Sequence, residues 1–164
     1  MSDQSPSPLR GAAAGLVAGF AASFAMNQFQ KLWDRAAPMP DKSEPSTVKA
    51  AQKASRESTG EPLPEADKKA AGNLVHYLFG GGLGALYGVA AEYRPEVTAG
   101  FGLPFGLGAS LLFDEVAVPA AGLSPPPGEV PAKSHLYGIV SHLVYGVATE
   151  GVRRAIRTGA AAQG

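Results

Sequence analysis

The chain contains no cysteine. Disulfides and thiolate metal sites are therefore excluded, and thiol usage says nothing of the redox compartment. There is no charge surplus either. Lys and Arg number 14, and so do Asp and Glu, which removes the electrostatic footprint of a nucleic-acid binder. Charge is also missing locally. Four runs, 11–30, 70–91, 97–113 and 134–149, hold no Asp, Glu, Lys or Arg. A bilayer span takes about 20 mostly apolar residues, with a range of roughly 17–25. The first two runs suffice, and the third and fourth do so when extended into 114–119 and 150–154. A mean hydropathy of zero averages these runs with a polar, proline-punctuated loop at 34–63. No HExxH motif, GK[ST] phosphate-loop ending or GxSxG elbow is present.

What the chain has in quantity is glycine, 21 residues of it. Small residues recur every fourth position in four ladders, each ending in a polar or acidic rung. These are Gly11, Gly15, Gly19, Ser23, Asn27; His76, Gly80, Gly84, Gly88, Glu92; Thr98, Gly102, Gly106, Ser110, Asp114; and Ser134, Gly138, His142, Gly146, Glu150. In water a helix loses about 1 kcal/mol for each Gly against Ala. In lipid the same residues let backbones approach closely, where association depends on packing rather than on apolar burial. A soluble bundle would favour Leu and Ile in its core. The fold class is therefore all-α, a four-span transmembrane helical bundle, with Gly15, Gly19, Gly80, Gly84, Gly88, Gly102, Gly106, Gly138 and Gly146 as packing positions.

The spans fall at about 10–31, 70–93, 97–119 and 134–156, making one transmembrane domain over 10–157. Residues 1–9 read as a disordered tail and 158–164 as a second tail. The first span reads as uncleaved, because its flank holds only Arg10 against Asp3 and its run is Ala/Gly-rich. Trp33 is placed as an interfacial anchor. Within the loop, a short surface helix of about 45–58 carries a thin apolar stripe (Val48, Ala51, Ala54) and stops at Gly60. Arg94-Pro95 turns the chain into span three, which Pro104 kinks and Pro119 ends. Residues 122–131, with three consecutive prolines, form a stiff connector. Tyr87-Gly88-Val89-Ala90-Ala91-Glu92 recurs as Tyr145-Gly146-Val147-Ala148-Thr149-Glu150, which points to two copies of a helical hairpin packed as parallel repeats.

Antiparallel threading gathers Asn27, His76, Asp114, Glu115, His135 and His142 at one end of the bundle. Glu92 and Glu150 lie at the other, beside Arg94 and Arg153-Arg154, as interfacial ion pairs. Ionisable residues within spans are costly and face the bundle or a wet cavity. Three readings of the histidine end compete: interhelical hydrogen bonding, a protonation site, or a metal site of two or three His with a carboxylate. His135 and His142 stand two helical turns apart, too far for joint chelation without a bend. No metal and no cofactor is therefore expected.

Four segments together resemble the YagU-type bacterial inner-membrane proteins, a family of unknown function. They are His76-Tyr77-x-Phe79-Gly80, Gly84-Ala85-Leu86-Tyr87-Gly88, Asp114-Glu115-Val116-Ala117-Val118-Pro119, and Ser134-His135 through His142-Leu143-Val144-Tyr145-Gly146 to Glu150 and Arg153-Arg154. The resemblance covers about 10–157. It implies the inner membrane and a link to acid resistance, and it carries over no catalytic residue. The expected function is that of a non-enzymatic membrane component concerned with protons or envelope stress. The alternative is an accessory or scaffold subunit of a larger complex, with a membrane-embedded metal-dependent enzyme third. Expected partners are the bilayer and either further copies of the chain or a membrane complex. Tight grouping of arginines at the end bearing both termini places those termini in the cytoplasm.

Overall fold

The computed structural model describes residues 6–38 and 43–161. Residues 1–5, 39–42 and 162–164, which belong to the two expected tails and the polar loop, lie outside the described residues. Among the described residues every regular element is helical: α1 (Pro8–Ala36), α2 (Ser46–Thr59), α3 (Glu65–Tyr93), α4 (Leu103–Ala109), α5 (Val118–Ala120) and α6 (Ala132–Ala161). Pro8 at the first turn and the Ser7 hydroxyl, which accepts from the Arg10 amide, start α1. Its first two residues thus belong to the helix rather than to a tail. In the same way, α6 continues past 157.

Three helices are long and apolar enough to cross a membrane: Pro8–Ala36, Glu65–Tyr93 and Pro95–Ala120. The helix α6 has the length, but its histidines, serines and tyrosines make it less apolar. The third of the three is not one regular helix. From Pro95 to Gly102 the backbone is a loose 3₁₀ turn, non-helical at Ala99, Gly100 and Phe101. Gly100, Phe101 and Gly102 all have positive φ, a conformation that costs glycine nothing and other residues something. Thr98 therefore does not continue the ladder of Gly102, Gly106 and Ser110. Pro104 sits in the first turn of α4 and begins that helix instead of kinking it. Beyond α4 the backbone widens into a π-helix at Ser110–Ala117 before α5 closes the arm 103–120.

Backbone meets backbone along two seams. A Cβ at Gly15 would fall on the Gly84 carbonyl, one at Gly19 on the Gly80 carbonyl, and one at Gly88 on the Gly11 carbonyl. Across the second seam, a Cβ at Gly106 would strike the His142 carbonyl, and one at Gly102 or Gly146 would strike the other's carbonyl. These positions have no room for any side chain. The helix α1 also packs on α6, and Ala22, Met26 and Tyr145 form the buried centre with Leu83, Phe105 and Ala148 against them. Outside the bundle, Val48 and Ala51 of α2 are buried, and the bare backbone of Gly72 on α3 makes room for Val48. Gly60, at φ 78°, caps α2.

Gly84→Leu and Gly106→Leu should each lower stability by roughly 1–3 kcal/mol or prevent folding, because overpacking against backbone cannot relax. Gly82→Leu, where nothing lies within 4 Å of the added carbon, should be tolerated. Thermal unfolding in detergent micelles checks the contrast.

Candidate functional site

The π-helix carries Ser110, Asp114 and Glu115 to the end of the bundle where α6 begins. Such widened turns concentrate at functional sites. The Ser110 hydroxyl, wholly buried, donates to Asp114 Oδ2 at 3.0 Å. On α6, His142 Nδ1 lies 3.1 Å from the same carboxylate oxygen and 3.0 Å from the Gly138 carbonyl. Both neighbours can only accept, so Nδ1 carries the proton. Gly138 serves this pair: a Cβ there would come 2.8 Å from Asp114 Oδ2. Its absence of side chain seats a carboxylate rather than a helix backbone.

Glu115 clasps a different histidine. His135 Nδ1 stands 2.6 Å from Glu115 Oε1, and its Nε2 faces the Pro127 carbonyl at 3.1 Å. With an acceptor at each nitrogen, the pair holds one proton beyond a neutral imidazole and a carboxylate. Consecutive carboxylates of one π-helix thus grip histidines two turns apart on α6.

The other two residues expected in this cluster pair with α1 and α3 rather than with a carboxylate, although His76 stays close enough to His142 for the two rings to interact electrostatically. His76 Nε2 faces the Ser23 carbonyl of α1 at 3.3 Å, with Tyr77 edge-on to its ring at 5.6 Å. Asn27 Nδ2 reaches the Tyr77 hydroxyl at 3.5 Å. The expected cluster thus holds two direct histidine–carboxylate pairs, with a third histidine held by backbone within electrostatic reach of His142. Asp114 and Glu115 both reach α6, but at histidines two turns apart. No group of three or more His, Cys, Asp or Glu able to hold a metal occurs among the described residues.

At the opposite end, Glu150 is wholly buried. Arg153 binds it twice, at 2.8 and 2.9 Å, Arg154 Nε donates to it, and the Tyr87 hydroxyl of α3 donates at 2.9 Å. Glu92 pairs with Arg157, at 2.8 Å, rather than with Arg94, and accepts the Ser7 amide at 3.1 Å. Arg154 also lies over the Phe101 ring. Tyr145, the counterpart of Tyr87 in the repeated hexapeptide, donates to the Gly80 carbonyl at 2.6 Å. Phe105 stacks on Tyr87 with centroids 4.2 Å apart and lies 6.0 Å from Tyr145. These tyrosines were not picked out in the sequence as polar cross-links. Their place at the head of each hexapeptide was the available signal.

Among the described residues the fold is all-helical, three of its helices are long and apolar enough to cross a membrane, and ionisable pairs stand at both ends. A family model described as a protein of unknown function (DUF1440) matches residues 55–151, and the chain belongs to that family, the one of the YagU-type proteins. The matched stretch includes both histidine–carboxylate pairs, Tyr87 and Glu150. No curated protein and no solved structure matches the chain.

Removing one member of a buried ion pair costs about 3–5 kcal/mol, because the partner charge, here that of the largely buried Arg153, is left unmatched. Glu150→Ala should fall in that range. Tyr87→Phe deletes one hydrogen bond to a charged group and should cost about 1.5–3 kcal/mol. Equal, negligible losses in thermal unfolding would show the assembly around Glu150 to be unimportant for stability.

Proposed function

We propose that the protein is a non-enzymatic, four-span component of the bacterial inner membrane whose histidine end takes up and releases protons. The carrying observation is the double clasp: Asp114 with His142 at 3.1 Å and Glu115 with His135 at 2.6 Å. Protonation changes in either pair alter the attraction that fastens α6 to the arm 103–120, and histidine is the side chain that titrates near neutrality. In this reading α6 is the fourth span, helped by its charge-free run 134–149. The two seams are the packing of two repeated hairpins, in the small-residue manner of membrane helices. Arg10, Arg94, Arg153, Arg154 and Arg157 mark the cytoplasmic face, against Lys31, Arg35, Lys68, Lys69 and Lys133 on the other. A proton-responsive clasp also fits the acid-resistance link implied by the family resemblance.

A second reading makes the protein an accessory subunit, alone or as a homo-oligomer packed into a larger complex. Gly82 and Gly108 favour it. Nothing lies within 4 Å of a Cβ at either position, so another helix can approach the backbone there.

Stability of the wild type in detergent should vary with pH between 5 and 8. Asp114→Asn, His142→Ala and Glu115→Gln should each cost about 1–3 kcal/mol and flatten that dependence. Superimposable pH profiles for wild type and variants would end the proton reading and leave the accessory subunit.

A further inference from the structure

On the histidine end, α2 lies across from the chain that follows α5, leaving an open groove of about 600 Å³. Its position is fixed from one side. Val48 and Ala51 seat α2 on α3 at Gly72, two residues inside the charge-free run that starts at 70. That is the depth at which headgroups meet hydrocarbon. Lys49, Lys53 and Arg56 follow one another at i, i+4 and i+7, so they form a single stripe, and all three line the groove.

The charge balance of the groove is positive. Glu44 and Glu57 also line it. Glu44 is already taken, by Lys68 Nζ at 3.1 Å and by Gln52 Nε2 at 2.8 and 2.9 Å. Glu57 then stands alone against three cations, none of which has an ion-pair partner among the described residues. Leu123 supplies an apolar edge on the opposite wall. Deeper along the bundle, α3 and the arm meet through Phe79 and Phe113, edge to face with centroids 4.7 Å apart. Leu78, Leu112 and Val116 are exposed on these same two elements. The cationic groove at headgroup depth thus lies between α2, which packs on α3, and the segment that follows the arm, and α3 and the arm carry Leu78, Phe79, Leu112 and Phe113 further into the charge-free runs.

We infer that this groove holds one anionic phospholipid, its phosphate between Lys49, Lys53 and Arg56 and its acyl chains along the Phe79–Phe113 seam. The guanidinium of Arg56 suits two-pronged binding of phosphate oxygens, and the lysines add point charges. The inference rests on the membrane reading but not on proton uptake.

Native mass spectrometry of the detergent-purified protein, titrated with phosphatidylglycerol or phosphatidylcholine, tests it. The wild type should retain one phosphatidylglycerol in preference to phosphatidylcholine. The triple variant Lys49→Gln, Lys53→Gln, Arg56→Gln should lose affinity by about fivefold for each cation removed, and Lys53→Gln alone by one such step should the triple variant fail to fold. The control Lys31→Gln, Arg35→Gln, at the same end on α1, should bind as the wild type does. Wild-type affinity in both Lys53→Gln and the triple variant, an equal loss in the control, or no preference for phosphatidylglycerol would overturn the proposal. So would inorganic phosphate alone raising thermal stability as much as phosphatidylglycerol, which would make the ligand a soluble phosphate. Any of these results with the protein still in the membrane fraction removes only this inference. Recovery in the soluble fraction after alkaline washing removes the membrane reading with it.

Discussion

Close approach of bare backbone is the constraint on which everything else in this molecule depends. Gly11, Gly15, Gly19, Gly80, Gly84 and Gly88 set α1 against α3, and Gly102, Gly106 and Gly146 set α4 against α6. Along a seam this tight, dispersion contacts form over the whole backbone surface, and in lipid such packing replaces the apolar burial that drives folding in water. A methyl group at these positions would meet a carbonyl oxygen. The glycines therefore fix both the spacing and the register of the helices, and with them which polar side chains face each other at the ends.

Register then explains the chemistry at either end. With Gly106 against the His142 carbonyl, Asp114 comes level with Gly138 and can reach the His142 ring across the glycine's empty side. Glu115, the next residue of the π-helix, adds the second grip, on His135. At the far end the same register carries Glu150 under the Tyr87 hydroxyl, and Arg157 to Glu92. Tyr145 and Phe105 fill the space between α3, α4 and α6. The two ends differ in character. Glu150 is enclosed by two arginines and a tyrosine, a saturated arrangement that serves stability. Each histidine pair is a single imidazole against a single carboxylate, and both are less enclosed than Glu150.

Much of this was legible because period and spacing are local properties. The four-residue glycine recurrence marks the seams, Gly60 marks the end of α2, and antiparallel threading brings Asp114 and His142 to one end. The rest depends on geometry that no periodicity encodes. The left-handed run at Gly100, Phe101 and Gly102 breaks the third ladder below Gly102, although Thr98 continues it in sequence. The π-helix at Ser110–Ala117 cannot be seen in a pattern read at 3.6 residues per turn, and which carboxylate meets which histidine is not set by period. His76 turns to the Ser23 carbonyl rather than to a carboxylate, a choice set by backbone proximity across the first seam. Arg157 reaches Glu92 from another helix, whereas the sequence suggests the nearby Arg94.

The seam between α1 and α3 is open to direct measurement, since the chain has no cysteine of its own. A Cβ at Gly81 would lie 3.2 Å from Leu16 Cδ1, while one at Gly82 would have nothing within 4 Å. Oxidation in bilayers of the paired variants Leu16→Cys with Gly81→Cys, and Leu16→Cys with Gly82→Cys, compares these two faces of α3. Rapid cross-linking of the first pair and little of the second is the predicted result. Equal cross-linking of both, or faster reaction at position 82, would contradict the glycine-set register.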